Sequence, residues 1–499
     1  MKKLLIILTV LLVVGSSCKD YLAVDEKNPN SASSVPANLL LPAAQNNTAR
    51  LFTTPGNFAF VYEWYGCWSI SGGYSQDLNM TGYNLVNGSF QGDWSTAYVT
   101  LANYDYIEKN ATDPKDKAYV AIAKIMKAMH YGFLVDMYGN VPYTEALDPA
   151  NLKPVYDPMA TIYDDLLTQL DDAMGIITSI VPTDNNPGPN DNFYHGNMDL
   201  WWKLANTTKL RLLMNMFYSG NAGTKAKVAT AIATTPSTAT DYIGVGEGAY
   251  DQPGYVQSTG KMNPFYERFY KQDGSQQADG LGYFVPGQDA CDFLTANADP
   301  RKLLMFAPYS GSLIAGNYFG ALVLGLPAVT SKLGTGMLKT YAAPSPILTD
   351  IESLFLQAEA IQQGVITGDA KACYEAAVTQ SIIYFGSNAA AAATYLSQVN
   401  PNTSFDAAPN KLKVIMTQKW LALNGVSPMP IWNDYRKTGF PDFIHFSQDP
   451  NRKNDTPQVR FLYPQTEIST NNENVLKQGI NNAADCFDHF IFWDPRATK

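Results

Sequence analysis

The stretch Ala118-Tyr-Val-Ala-Ile-Ala-Lys-Ile-Met-Lys-Ala-Met-His-Tyr-Gly-Phe-Leu-Val-Asp-Met-Tyr-Gly-Asn-Val-Pro-Tyr-Thr-Glu-Ala-Leu147 decides the fold class. Ile122, Met126, Met129 and Phe133 recur at three and four residues, so they form one apolar stripe of a helix. Asp113 and Pro114 supply an N-cap and a pre-set first-turn φ just upstream. Gly139 stands where a left-handed residue stops a helix, and Pro142 forbids its resumption. A long helix therefore ends in an abrupt Tyr-Gly-Asn-Val-Pro-Tyr corner. It carries His130 and Asp136, which raises the question of catalyst or scaffold.

The periodicity extends on both sides. A helix is expected from about Leu39 to Phe52, and Trp94, Tyr98, Leu101 and Tyr104 or Asp105 share one helical face. Asp157-Pro158 repeats the cap-plus-proline start before Ile162, Leu166, Leu170, Ala173 and Ile177. Residues 199–220 are helical again, with Arg211 inside the stripe as a paired structural charge. Thr349 and Glu352 are expected to make a capping box. The hairpin Ala358–Ala377 resembles one tetratricopeptide unit, but its neighbours do not repeat at that period. Leu412, Ile415, Met416, Lys419 and Leu423 mark a further helix, closed by Gly425.

Two segments break the helical period. Residues 55–94 interleave Trp64, Trp68, Tyr74, Tyr83 and Phe90 with Gly66, Gly72, Gly73, Gly82 and Gly88. They read equally as a short helix near 58–69 with core-plugging loops, or as a ring-lined ligand surface. Residues 236–345 are rich in Gly, Pro, Ser and Thr with scattered rings, as in a loop-rich insertion. The Asn/Asp-rich loop 183–197 reads as turn chemistry rather than a calcium loop, because the EF-hand spacing is missing.

The 499-residue chain is 46% hydrophobic and 12% aromatic, which indicates a folded globular body. Its net charge of −10, without a basic block, argues against nucleic acid as a partner. Lys2 and Lys3 precede an uncharged run, Leu4–Val14, too short to span a bilayer comfortably. Gly15-Ser16-Ser17-Cys18 then resembles a bacterial lipobox, with residues 1–17 as signal peptide and lipid on Cys18; the alternative is an ordinary signal with an incidental cysteine. Residues 19–36 read as an extended tether. Cys67, Cys291, Cys373 and Cys486 form no CxxC pair and are expected as buried free thiols, the alternative being two oxidised pairs in an exported chain.

No sequence motif for catalysis is found: there is no Gly-x-Ser-x-Gly, no HExxH and no phosphate loop. His130 falls in the apolar stripe, as a hydrogen-bonded core histidine does. Asp434 and Arg436, beside Trp432 and Tyr435, read as a structural ion-pair region.

Several ordered stretches together resemble the SusD/RagB family of outer-membrane nutrient-binding lipoproteins. They are the lipobox at Cys18, Phe133–Ala146, Trp202–Asn206 with Leu210-Arg211, Asp299-Pro-Arg301, Glu359-Ala360 with Tyr374 and Ser381, Gln418-Lys-Trp420, Asp434-Tyr-Arg436 with Gly439 and Pro441, and Tyr463-Pro464 with Glu467. The resemblance implies a mostly α fold, with irregular tetratricopeptide-like helix pairs supporting a loop-rich ligand-binding half. It implies one domain over 37–499, with scaffold at about 95–235 and 347–440 and loop-rich parts at about 55–94 and 236–345.

It further implies a lipid-anchored lid on a SusC-like TonB-dependent transporter barrel, facing the cell exterior. Such a lid binds oligosaccharides or oligopeptides and needs no catalytic residue, metal or cofactor. Trp68, Tyr74, Asp77, Asn79 and Tyr83 lie where the family's first ligand-binding segment falls, with Tyr266, Tyr283 and Phe284 added from the insertion. A surface glycoside hydrolase and a purely structural lipoprotein of the transporter complex stand as the alternatives.

Overall fold

The computed structural model describes residues 35–235 and 238–497. The expected signal peptide, the Cys18 lipid site and nearly all of the tether lie outside the described residues. The main elements are α1 (Ala37–Thr53), α2 (Pro55–Trp64), β1 (Trp68–Ile70), α3 (Gln91–Asn110), α4 (Lys117–Tyr138), β2 (Val141–Pro142), β3 (Tyr156–Asp157), α5 (Met159–Thr178), α6 (Met198–Phe217), β4 (Phe284–Pro286), α7 (Gln288–Ala296), α8 (Asp350–Gln362), α9 (Ala370–Tyr384), α10 (Lys411–Leu423) and α11 (Pro428–Thr438). The fold is mostly α, and the strands form only two-stranded antiparallel pairs.

The decisive helix is α4, and it is more central than one apolar stripe implies. It is buried on nearly every side and packs against α3, α5 and α6. A helix apolar all round belongs in a core. Ile122, Ile125 and Leu134 are fully buried, and each such side chain contributes about 1.5–3 kcal/mol of transfer free energy. The half-exposed positions are Lys117, Val120, Lys124 and Lys127, spaced by three and four residues. The lysines among them tie α4 to its neighbours: Lys127 reaches Asp105 of α3 at 2.7 Å, and Lys124 reaches Glu108 at 3.4 Å.

The helix starts later than expected. Asp113 closes a turn by accepting from the Lys115 amide, and α4 begins at Lys117. Its end is as expected: Gly139 has φ +76°, which an L side chain rarely adopts. The orphan carbonyls of that last turn all find donors. Arg436 donates to the Asp136 carbonyl, the Phe461 amide to Met137, Arg460 to Tyr138 and the Tyr463 hydroxyl to Asn140. Two arginines at a helix C-terminus also complement its dipole. The Tyr-Gly-Asn-Val-Pro-Tyr corner is therefore the dock for the C-terminal segment. Past it, Asp157 takes the Tyr143 and Thr144 amides instead of capping α5.

His130 and Asp136 are structural. The His130 ring stacks on Phe52 at 5.0 Å, and its Nε2 shares a 2.9 Å hydrogen bond with the Thr48 hydroxyl. Burial lowers its pKa to about 3, so the ring is neutral. The Asp136 carboxylate accepts from Tyr163, Asn433 and Trp493.

The α8–α9 hairpin forms the expected tetratricopeptide-like pair and builds its own core with α10 around Phe355, Tyr374, Val378 and Ile415. Thr349 caps α8 through the Glu352 amide. Glu352 does not return the bond; its side chain pairs with Arg211 at 3.1 Å, which supplies that arginine's partner. The separate sequence signatures meet in space. Arg301 binds Asp299 at 2.6 Å and also Ser381 and Gln418, all fully buried. Asp434 pairs with Lys419 at 2.9 Å and Lys437 at 3.0 Å, and Lys437 reaches Glu359 at 3.2 Å. Arg436 is not Asp434's partner; it serves α4. In loop 183–197, Asp191 accepts from Gln45, Trp201 and two backbone amides, which is turn chemistry. Cys67, Cys291, Cys373 and Cys486 are free thiols, the first two and the last buried.

Candidate ligand-binding surface

The two loop-rich segments are joined by the shortest of sheets. Trp68, Ser69 and Ile70 of β1 pair with Pro286, Val285 and Phe284 of β4. The pairing continues from the Ser71 amide to the Tyr283 carbonyl at 2.9 Å and from the Gly72 amide to the Gly325 carbonyl at 2.8 Å. Asn317 then bridges Ile70 and Gly325, and Gln76 reaches the Ala321 carbonyl at 3.0 Å. Backbone amides and two side-chain amides thus fasten the 317–326 loop against residues 70–76.

Between them lies an open concave surface of about 560 Å³, lined by Gly73, Tyr74, Gln76, Leu78, Leu322 and Leu326 among others. Tyr74 meets Tyr283 edge-on at 5.4 Å. Leu78 is 73% exposed, Leu322 80% and the adjacent Val323 89%. Large apolar side chains held this far into water on stapled loops mark a surface that meets something.

The expected site residues divide. Tyr74 and Tyr283 are half-buried at this cleft. Asp77 and Asn79 are on its rim, where the Asp77 carboxylate caps the one-turn helix Leu78–Thr81 through the Asn79 and Met80 amides. Tyr266 stacks on Tyr270 at 4.7 Å and lines a separate crevice with Lys339 and Tyr384. Trp68, Tyr83 and Phe284 are corrections: they are at most 4% exposed and belong to the core. Trp68 and Phe284 pack together across β1 and β4 at 5.4 Å, beneath the Tyr283 ring that touches Phe284. Tyr83 packs edge-on against Trp64, and its hydroxyl accepts from the Ser447 amide. These rings support the surface from below because both loop segments need apolar filling where they meet.

Leu78, Gln76, Leu322, Val323 and Leu326 are not among the expected residues. Their signal was present in the run Ala321-Leu-Val-Leu-Gly-Leu-Pro-Ala-Val329, which is apolar yet has neither helical nor strand period. Glu63 is also new. It is 6% exposed, and no hydrogen-bond or ion-pair partner holds its carboxyl among the described residues. Burial, then the nearby Asp77 charge, raises its pKa to about 8, so it is neutral at pH 7. Its influence and that of Asp77 reach the Tyr283 hydroxyl, whose pKa is pushed up to about 12 mainly by burial.

A second, tighter pocket of about 60 Å³ lies in the scaffold between α4, α6 and α11. Asp136 and Asn433, two of its polar groups, already bond each other. Among the described residues, no three His, Cys, Asp or Glu side chains converge as metal ligands, and no helix is long and apolar enough to cross a membrane.

Comparison with known proteins agrees with this architecture. A SusD-like structure from Bacteroides thetaiotaomicron is 21% identical, with a TM-score of 0.73 over 93% of this chain and 97% of its own. A SusD homologue from Bacteroides fragilis is 19% identical, with a TM-score of 0.72 over 93% of this chain and all of its own. A chitin-binding SusD homologue from Flavobacterium johnsoniae is 20% identical, with a TM-score of 0.73 over 92% and 99%. No curated protein matches the sequence. Residues 29–464 match the SusD-like family described as "Starch-binding associating with outer membrane". The chain belongs to that SusD-like family.

Proposed function

We propose that this chain is a surface-exposed nutrient-binding lipoprotein that captures an oligosaccharide in the Tyr74 cleft. In this reading residues 37–499 act as one domain, anchored by lipid on Cys18 and facing the exterior. The domain hands its ligand to a SusC-like TonB-dependent barrel. The observation that carries the reading is the cleft itself: a ring, a side-chain amide and several exposed aliphatic chains on loops stapled to a rigid core. Tyr74 offers a face for a sugar ring, worth about 1 kcal/mol beyond its area burial. Leu78, Leu322 and Leu326 offer nothing to hydroxyl groups. They suit the methyl of an acylated sugar, which favours an N-acetylated glycan such as the chitin bound by the Flavobacterium johnsoniae relative.

The same aliphatic chains would also serve an apolar oligopeptide, which is the second reading. Calorimetry on the form lacking residues 1–18 decides between them, using chitohexaose, maltohexaose and a tryptic peptide pool. The reading requires chitohexaose to bind best and Tyr74→Ala to weaken it about tenfold. Binding of peptides alone would replace it with the second reading, and cleavage of the glycan would contradict a pure binding role.

A further inference from the structure

His445 is an exposed residue held as if it were a buried one. Its side chain is 57% exposed, whereas the Asp289 side chain that grips it is 4% exposed. One carboxylate takes two bonds from this one residue. The His445 backbone amide donates to Asp289 Oδ2 at 3.0 Å, and ring Nδ1 lies 2.6 Å from Oδ1. Asp289 stands in the first turn of α7, where the helix dipole favours a negative charge. Room for it exists because residue 66 is glycine: a Cβ there would lie 2.5 Å from Asp289 Oδ2. Burying a carboxylate is costly unless it is paired and hydrogen-bonded. Here the pairing fixes one surface imidazole in one orientation.

With a carboxylate oxygen 2.6 Å from Nδ1, the neutral ring carries its proton on Nδ1, and Nε2 is a bare acceptor. No protein partner occupies it among the described residues. Beside it stands the half-exposed Tyr318 ring, with centroids 4.8 Å apart and planes inclined by 57°. The two rings make an open corner, one wall flat and apolar and the other carrying a fixed acceptor. A sugar ring lying on Tyr318 with a hydroxyl directed at Nε2 fits both walls. Tyr318 also stands three residues before Ala321, which Gln76 staples to the Tyr74 cleft. Three residues separate Cα atoms by at most about 11 Å. An oligosaccharide of several units can therefore touch both places.

We propose that Tyr318 and His445 form a second glycan contact, extending the Tyr74 cleft, with Asp289 as the positioning residue. This rests on the glycan reading of the cleft.

The test is calorimetry of the full chain in detergent with chitotriose and chitohexaose at pH 7.5. His445→Ala and Tyr318→Ala are each expected to weaken chitohexaose about five- to tenfold at pH 7.5, while chitotriose is nearly unaffected. Asp289→Asn, whose amide oxygen can still accept from the ring, should weaken chitohexaose less than His445→Ala, and Asp289→Ala as much as His445→Ala, with chitotriose affinity unchanged in both. If the variants bind chitohexaose like wild type while Tyr74→Ala is impaired, the second contact is wrong and the cleft reading stands. If wild type binds neither sugar, both fall. Cleavage of chitohexaose lost in His445→Ala would overturn a binding role for this corner.

Discussion

In the helical scaffold, with the Asp299–Arg301 turn of the second loop-rich segment docked on it at Ser381 and Gln418, Arg301, Asp299, Lys419, Lys437, Glu359 and Asp434 are buried and each meets an opposite charge. In the first loop-rich segment, Glu63 and Asp93 are also buried, yet neither has a hydrogen-bond or ion-pair partner among the described residues. Desolvation raises their pKa values instead, to about 8 and about 7. The same segment exposes Leu78, and the facing loop exposes Leu322 and Val323. The scaffold pairs its buried lysines and carboxylates internally. The loop-rich half leaves both polar and apolar valences open, which is what a surface built for an outside partner does.

Breaking a scaffold charge should have the largest effect. Arg301→Ala leaves Asp299 buried without its cation, with an expected loss of about 3–5 kcal/mol of stability. Chemical denaturation measures it, and the folded fraction should keep its glycan affinity. An unchanged midpoint would mean that the scaffold charges are not what fixes the geometry.

The unpartnered acid should behave in the opposite way. The Glu63 carboxyl is protonated in the fold up to about pH 8 but ionises near pH 4.5 when unfolded. Its stabilising contribution is therefore full below the unfolded value and is lost as pH rises from about 4.5 to 8. Glu63→Gln should raise stability by about 4 kcal/mol at pH 8 and change little at pH 4. His130 gives the reverse window within the scaffold. Its folded value of about 3 lies below the ordinary 6.5, so its contribution is present above pH 6.5 and fades as pH falls toward 3. Melting temperatures between pH 4 and 9 separate the two limbs.

The smallest effect should come from the exposed aliphatic chains. Leu322→Ser should leave stability within about 0.5 kcal/mol, because little of the side chain is buried. It should nevertheless weaken an N-acetylated glycan more than an unacetylated one. Equal effects on both would remove the acyl-group argument.

The scaffold was largely legible because helices advertise themselves by period and punctuation. The α4 stripe, Gly139 and the α8–α9 hairpin are local signals. What could not be read was partner choice. Asp113 and Asp157 look like caps but serve turns, since a carboxylate takes whichever amides the tertiary fold presents. The site was legible as a region only. Rings on glycine-broken loops look alike whether they fill the junction, as Trp68, Tyr83 and Phe284 do, or face water, as Tyr74 does. That difference is set by the β1–β4 pairing across more than 200 residues of sequence, which no local pattern encodes.

The central claim is that stability resides in the scaffold's paired charges and binding in the stapled loops. One calorimetric series tests it most directly: chitohexaose titrated into wild type, Tyr74→Ala and Arg301→Ala at pH 7, below the melting temperature of each. The account predicts affinity about tenfold weaker in Tyr74→Ala and unchanged in Arg301→Ala. Wild-type affinity in Tyr74→Ala, with the loss in Arg301→Ala instead, would contradict it.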